Sequence, residues 1–322
     1  TGGTGGHIFP AYSLANNLTK KDYKVEITTD KRGLKYLKNY NNLTIKKIPS
    51  SPLIKKNILT LSYSLFMIFL SIVKSLIFLL LNRPSLVFGM GGYSSFPVCI
   101  AASILKIKFI IYENNLIIGK ANKYLIPFAK KIFVSRVELE GVPKKYINKI
   151  SKIGNIISKE ILNLKANSEV SSNNKNLRIL VLGGSQAAKV FAEILPQIFK
   201  KCVEKSIKLE IFQQSLLEQK DYLENVYKQL NIKFKIFNFS KNIFSYFSKV
   251  DLAITRSGSS VLAELVNSNT PFIAVPLPTS ADNHQLKNAI YYEKNQYSYL
   301  IEEKYLNEKL FELIKKIDED RT

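Results

Sequence analysis

Thr1-Gly2-Gly3-Thr4-Gly5-Gly6-His7 opens the chain, and two further glycine clusters follow, Gly89-Met90-Gly91-Gly92-Tyr93-Ser94-Ser95 and Gly183-Gly184-Ser185-Gln186. The second and third each follow a short apolar run that reads as a strand, Ser85–Phe88 and Ile179–Leu182. A glycine turn at a strand's carboxyl end lets backbone N–H groups approach an anion, and a following helix adds its partial positive charge. One such turn is weak evidence, because glycines after strands mostly serve ordinary tight turns. Three in one chain point to a nucleotide-diphosphate site built between two sheets. None matches the dinucleotide fingerprint G-x-G-x-x-G with a ribose-binding acid closing the next strand. Asp30 is the nearest acid, and it falls in a polar run that reads as a loop.

Short apolar runs alternate with longer helical stretches, the pattern of βαβ units on parallel sheets. Strands are expected at 23–28, 43–48, 85–88, 109–112 and 131–134, then at 177–182, 208–212, 233–237, 252–255 and 272–275. The polar stretch Asn167–Asn176 reads as an exposed loop. The expectation is an α/β chain of two domains, 1–157 and 158–322. Because the chain opens inside a motif, a first strand is expected upstream of Thr1.

The 322 residues are enough for two α/β domains, and 46% hydrophobic with 22% charged residues suits a globular protein. Two cysteines, Cys99 and Cys202, imply neither a disulfide framework nor a metal cluster. No basic-then-apolar secretory signal opens the chain. The formal net charge of +22 suits anionic lipid or phosphorylated substrates. The lysines are scattered and no nucleic-acid motif accompanies them, so no nucleic-acid partner is expected.

Asn57–Leu81 is almost wholly apolar and long enough to span a bilayer. Asn57, Thr60, Ser64, Ser71, Lys74 and Ser75 fall in about a third of a helical circumference, with Ser62 the exception. A crossing would separate the first glycine turn from the other two. The expected element is instead a helix partly packed on the sheet and partly exposed as an apolar patch. Ringed by Lys55, Lys56 and Arg83, it suits contact with an anionic membrane surface.

With these motifs in place the chain resembles the MurG family, the bacterial undecaprenyl-diphospho-muramoylpentapeptide N-acetylglucosaminyltransferases. The resemblance rests on Thr1–Pro10, Gly89–Pro97, Glu113–Asn122 (ENNLIIGKAN), Gly183–Gln186, Arg256–Glu264 (RSGSSVLAE), Pro271–Pro276 and Asp282–Ala289, in order and spacing. It covers nearly the whole chain. It implies two Rossmann-like domains facing across a cleft, the GT-B arrangement, with UDP-N-acetylglucosamine held mainly by the second. The reaction implied is inverting transfer to an undecaprenyl-diphosphate-linked muramoyl-pentapeptide at the cytoplasmic face of the inner membrane. That reaction needs a general base at the acceptor hydroxyl and stabilisation of the leaving diphosphate.

No cofactor is implied. The one Asp-x-Asp-like match, Asp318-Glu319-Asp320, reads as a solvated helix face, so no metal site is expected. His7 and Glu113 are the candidate bases. The acceptor diphosphate is assigned to Thr4, Gly5, Gly6, Gly91 and Gly92, and the donor diphosphate to Gly184, Ser185 and Gln186. Matching positions give Glu264 to the ribose hydroxyls, in what reads as a first helical turn. They give Gln285 to the donor sugar, Asn115 to a donor contact from the facing domain, Ser240 to a backbone contact with the uracil ring, and Ser259, Ser260, Val261, Leu262 and Ala263 to substrate binding. His284 is expected to line the donor site.

Several positions depart from the family pattern. Ser158 stands where an arginine is expected to bind the diphosphate. Tyr112 and Asn114 replace a histidine and a glutamine before Asn115, Ala187 replaces a glycine, and Gln213-Gln214-Ser215 replaces a His-Gln-Thr run. A final helix is expected beyond Thr322. Three alternatives stay open: a glycosyl-diacylglycerol synthase, a UDP-N-acetylglucosamine epimerase, and a UDP-sugar-binding protein without turnover.

Overall fold

The computed structural model describes residues 1–3, 5–38, 40, 42–50, 57–164, 176–238 and 243–321; at 164 and 185–188 it describes the backbone alone. Thr4, Lys55, Lys56, Ser240 and all of 167–176 but Asn176 lie outside the described residues. The chain divides into two compact units, Thr1–Ser158 and Lys159–Thr322.

The first unit runs α1 (Gly5–Thr19), β1 (Glu26–Thr29), α2 (Lys31–Leu37), β2 (Thr44–Lys47), α3 (Ile58–Asn82) and β3 (Val87–Gly89). It continues with α4 (Ser95–Ile104), β4 (Phe109–Glu113), α5 (Lys120–Leu125), β5 (Lys131–Val134) and β6 (Ile150–Lys152). β1 pairs with β2, and β3-β4-β5-β6 form a four-stranded sheet, all parallel. Ile111 and Ile132 at its centre are fully buried.

The second unit runs α6 (Lys159–Leu164), β7 (Leu177–Leu182), α7 (Gly184–Glu204), β8 (Leu209–Gln214), α8 (Lys220–Gln229), β9 (Lys233–Phe237) and α9 (Phe244–Phe247). Then come β10 (Leu252–Arg256), α10 (Ser259–Asn267), β11 (Phe272–Val275), α11 (His284–Lys294), β12 (Tyr299–Leu300) and α12 (Leu306–Arg321). Its six strands are parallel in the order β12-β11-β10-β7-β8-β9. β10 and β11 are buried along their whole length, which explains why they read as unbroken apolar runs rather than alternating ones. Phe191, Leu195 and Phe199 of α7, Leu223 and Tyr227 of α8, and Leu306 and Leu310 of α12 join the same core. The chain winds outward from β7 to β9, then returns to β7's other side for β10. Ligands of such sheets bind outside the strands' carboxyl ends at that reversal. Gly183-Gly184 and Ser257-Gly258 leave the sheet there.

Every run expected as a strand overlaps one. β6 and β12, three and two residues long, carry too little pattern to be read from sequence. Asp30 is a correction. It ends no loop but directly follows β1 and caps α2, its carboxylate accepting Gly33 N–H at 2.8 Å. Asp318 is another: far from a purely solvated face, it pairs with Arg321 at 3.1 Å, and Arg321 also reaches Asp251.

Helix α3 reverses the usual amphipathic logic. Its buried residues are Ser64, Ser71, Ser75 and Leu79, which share one face at 100° per residue. Each serine hydroxyl donates to the carbonyl four residues back, Ser64 to Thr60, Ser71 to Met67 and Ser75 to Ser71, at 2.6–2.8 Å. With their polar atoms satisfied inside the helix, these small side chains let α3 pack closely along α4, whose Cys99, Ala101 and Ala102 are also buried. The expected packing on the sheet is thus packing on a neighbouring helix. Leu59, Leu65, Phe66, Phe69, Leu80 and Leu81 face outward, each more than half exposed. Asn57 and Thr60 form a reciprocal capping box, which takes them out of the stripe's packing.

Candidate active site

In the first unit the two glycine turns interlock. Gly92, at φ +79°, passes so close to the backbone of Gly2 that a Cβ would lie 2.3 Å from Gly2 O. Gly91 shares that φ, and a Cβ there would lie 2.8 Å from Cε1 of His7. The His7 ring therefore packs on the bare face of Gly91. Ser94 Oγ donates to Thr1 O at 2.6 Å and locks the second turn to the first. No residue with a side chain fits either glycine position, for steric and conformational reasons together.

Asp30 braces the same place from the other side. Its Oδ1 accepts Gly3 N–H at 3.4 Å as well as Gly33 N–H, and its Oδ2 accepts Arg32 and Ser50. Burial alone would raise its pKa, but the Gly33 N–H, Arg32 and the Gly3 N–H outweigh it and hold the carboxyl below its ordinary range.

The turn after β4 carries Glu113, Asn114 and Asn115. Glu113 is 2% exposed and uses both oxygens. Oε1 accepts the backbone and side-chain N–H of Asn115 at 3.1 and 3.0 Å, and Oε2 accepts Gly119 N–H at 2.8 Å and Asn122 Nδ2 at 3.0 Å. Four donors on one buried carboxylate make it an organiser of the 113–122 turn, a duty at odds with the proton-accepting role expected of it. Tyr112 is likewise structural. Its hydroxyl donates to Gly154 O and accepts Ile156 N–H, both at 3.1 Å, bracing the segment that leads to Ser158. Asn114 Nδ2 donates to Gly6 O at 3.2 Å, joining this turn to the first turn of α1. So His7, Gly6, Gly91 and Asn114 come together, with Asn115 next to them.

In the second unit, Gly184 takes φ +64° at the start of α7, with open space where a Cβ would project. Its N–H donates to Gln214 Oε1 at 3.3 Å. The side chains of Ser185 and Gln186 and the whole of Ser240 lie outside what is described. α10 begins at Ser259, so Glu264 stands in its second turn rather than the expected first. Leu262 and Ala263 point into the core, and Leu262 N–H already bonds Gly258 O at 3.1 Å. Ser259, Ser260 and Val261 form the first turn of α10.

Burial pushes the Glu264 carboxyl from 4.5 up to about 8, and no described residue hydrogen-bonds to it. Glu264 is half-buried and stands near the strand reversal. Gln285 Oε1 accepts the backbone N–H groups of Ser257 (3.1 Å) and Leu277 (3.0 Å), tying the loops after β10 and β11 together. Since both partners are donors, the amide orientation is fixed and Nε2 is turned away from them as a donor. His284 is half-buried, its Nδ1 2.7 Å from Ala281 O. Sequence reasoning missed Arg256, buried at the end of β10, bonded to Pro276 O at 3.1 Å and paired with Glu303. Among the described residues no group of three or more His, Cys, Asp or Glu could hold a metal ion.

Two family models match, the glycosyltransferase family 28 N-terminal domain over residues 1–134 and the glycosyltransferase family 28 C-terminal domain over 178–322. The UDP-N-acetylglucosamine–N-acetylmuramyl-(pentapeptide) pyrophosphoryl-undecaprenol N-acetylglucosamine transferase of Pelagibacter ubique is 36% identical, over 99% of this chain and 88% of its own. The enzyme of that name from Rickettsia bellii is also 36% identical, over 97% of this chain and 89% of its own. Among solved structures, MurG of Acinetobacter baumannii superposes with a TM-score of 0.73 at 24% identity, covering 99% of this chain and 90% of that one. The S. aureus MnaA–UDP co-structure superposes with a TM-score of 0.62 at 13% identity, covering 99% and 89%.

Proposed function

Because the chain belongs to glycosyltransferase family 28, we propose that it transfers N-acetylglucosamine from UDP-N-acetylglucosamine to lipid-linked N-acetylmuramyl-pentapeptide, pyrophosphoryl-undecaprenol being the carrier. The observation that carries this reading is the pairing of two unlike sites. One unit offers interlocked glycine turns beside a histidine, and the other offers a strand reversal with a carboxyl whose pKa is raised by burial.

The second unit takes the nucleotide sugar. Glu264 accepts the ribose hydroxyls and Gln285 Nε2 reaches the sugar. Gly184, with Ser185 and Gln186 after it, lies against the donor diphosphate, where a side chain would obstruct it. Ser240 takes the uracil ring. The first unit takes the acceptor, its diphosphate on Thr4–Gly6 and Gly91–Gly92. His7 withdraws the proton from the acceptor hydroxyl as that oxygen attacks the anomeric carbon and UDP departs on the opposite face. Glu113 acts by holding Asn115, not as the base.

The outer face of α3 supports attachment to the cytoplasmic surface of the membrane. The helix has a mean hydropathy of 2.5 over its most apolar 18 residues, with 22% of that window buried. Its inner face is committed to α4, which leaves only the outer face for lipid and favours lying in the interface over crossing it. Exposed Lys74 and Arg83 flank that face, placed for anionic headgroups.

The test is transfer of radiolabelled N-acetylglucosamine into an organic-extractable product, with the lipid-linked acceptor and a chelator present. Label in the lipid phase is expected. UDP-sugar binding with no label transferred would leave the non-catalytic reading standing instead.

A further inference from the structure

Pro10 is the sixth residue of α1. In an α-helix the N–H of each residue bonds the carbonyl four residues earlier. The N–H owed to Gly6 O is therefore one that proline does not have, and the proline ring crowds that carbonyl besides. Asn114 supplies a donor in its place, Nδ2 lying 3.2 Å from Gly6 O across 108 residues of sequence. Asn114 is itself held: its backbone carbonyl accepts Ser135 Oγ at 2.9 Å, and its Oδ1 accepts Asn115 Nδ2 at 3.2 Å. The Glu113 carboxylate in turn fixes Asn115.

Gly6 C=O and His7 N–H belong to one rigid peptide plane. Whatever orients that carbonyl orients the backbone from which the His7 side chain departs toward Gly91. We propose that Asn114 is the positioning residue of the acceptor side, replacing the helical bond that Pro10 cannot make and so setting His7 over the second glycine turn. This rests on the acceptor-side role of His7 given above. It ties the turn after β4 to the first turn of α1 through side chain and carbonyl alone, and it gives Pro10 and Asn114 a shared function.

Asn114→Ala, Pro10→Ala and the double variant test it, with Asn114→Asp as a near-isosteric form that lacks the donor. Turnover at saturating UDP-N-acetylglucosamine, the KM for that donor, UDP affinity and melting temperature are measured for each. Asn114→Ala and Asn114→Asp are expected to lose about ten- to a hundredfold in kcat, the scale of a small misplacement of a reacting group. UDP affinity should stay unchanged. Pro10→Ala should turn over like the parent. The double variant Pro10→Ala/Asn114→Ala should regain most of the lost kcat, because alanine at 10 restores an N–H to Gly6 O. A double variant as slow as Asn114→Ala, or Asn114 variants of full kcat, overturns the inference. If Asn114→Ala does not fold, the double variant must fold and work, and its failure to do so counts equally against the proposal. His7→Ala separates the two levels: full turnover there removes the underlying reading, whereas slow turnover there with normal Asn114 variants removes only this one.

Discussion

Glu264 gives the sharpest pH-dependent consequence of the proposed donor site. Its carboxyl is pushed from 4.5 to about 8 by burial alone, so at pH 7 about nine-tenths of it carries a proton in the ligand-free protein. Ribose hydroxyls donate best to an ionised acceptor, and such charge-assisted bonds contribute about 1.5–3 kcal/mol each. Two of them favour the carboxylate by more than the roughly 1.4 kcal/mol that one pH unit represents. Binding should therefore expel the proton, and the affinity for UDP-N-acetylglucosamine should rise up to about tenfold per pH unit between pH 6 and 8. The diphosphate diester does not titrate in that range, which makes it a cleaner ligand than UDP. Calorimetry at pH 7 in buffers of different ionisation enthalpy should report release of nearly one proton per ligand. Glu264→Gln should bind more weakly, with no pH dependence and no proton release. The stability sign is also determined. The group stays protonated in the fold while the unfolded chain ionises above 4.5, so the stability it contributes at low pH is lost as pH rises toward 8. Glu264→Gln should resist urea better than the parent at pH 8, and the difference should shrink as pH falls toward 5. A parent protein whose donor affinity is flat from pH 6 to 8, with no proton exchanged, would refute the assignment of Glu264 to the ribose.

Two predictions concern α3. Replacing Phe66 and Phe69 by serine should weaken co-sedimentation with anionic vesicles and leave the melting temperature within a few degrees, because both rings are already more than half exposed; unchanged vesicle binding would count against an interfacial α3. Ser75→Leu should destabilise by about 1–3 kcal/mol although it makes the sequence more apolar, since it overpacks the contact with α4; thermal unfolding reads this directly, and a stabilised variant would contradict the packing described.

The contrast between these two faces shows where sequence reasoning stopped. Ser64, Ser71 and Ser75 were legible as a stripe, but periodicity says only that a helix has two faces. Which one is inside depends on what the neighbour offers, and α4 offers Cys99, Ala101 and Ala102, a surface that accepts small side chains. The buried strands β7, β10 and β11 were legible because unbroken apolar runs are what parallel sheets demand. Glu113 carries the opposite lesson: its sequence does not show the four donors that its carboxylate accepts in the fold. The Asn114–Gly6 contact joins positions 108 residues apart, and only its local half, the proline four residues after a glycine, is visible in the chain.

The central claim is that the two units divide the work, acceptor to the first and nucleotide sugar to the second. UDP affinity and single-turnover transfer, measured together on His7→Ala and Gly184→Val, test it most directly. Gly184 holds φ +64°, which a β-branched residue tolerates poorly, and its open side is where the donor diphosphate is placed. His7→Ala should bind UDP like the parent while losing transfer, and Gly184→Val should lose UDP binding. Loss of UDP binding in His7→Ala, with Gly184→Val binding normally, would contradict the division.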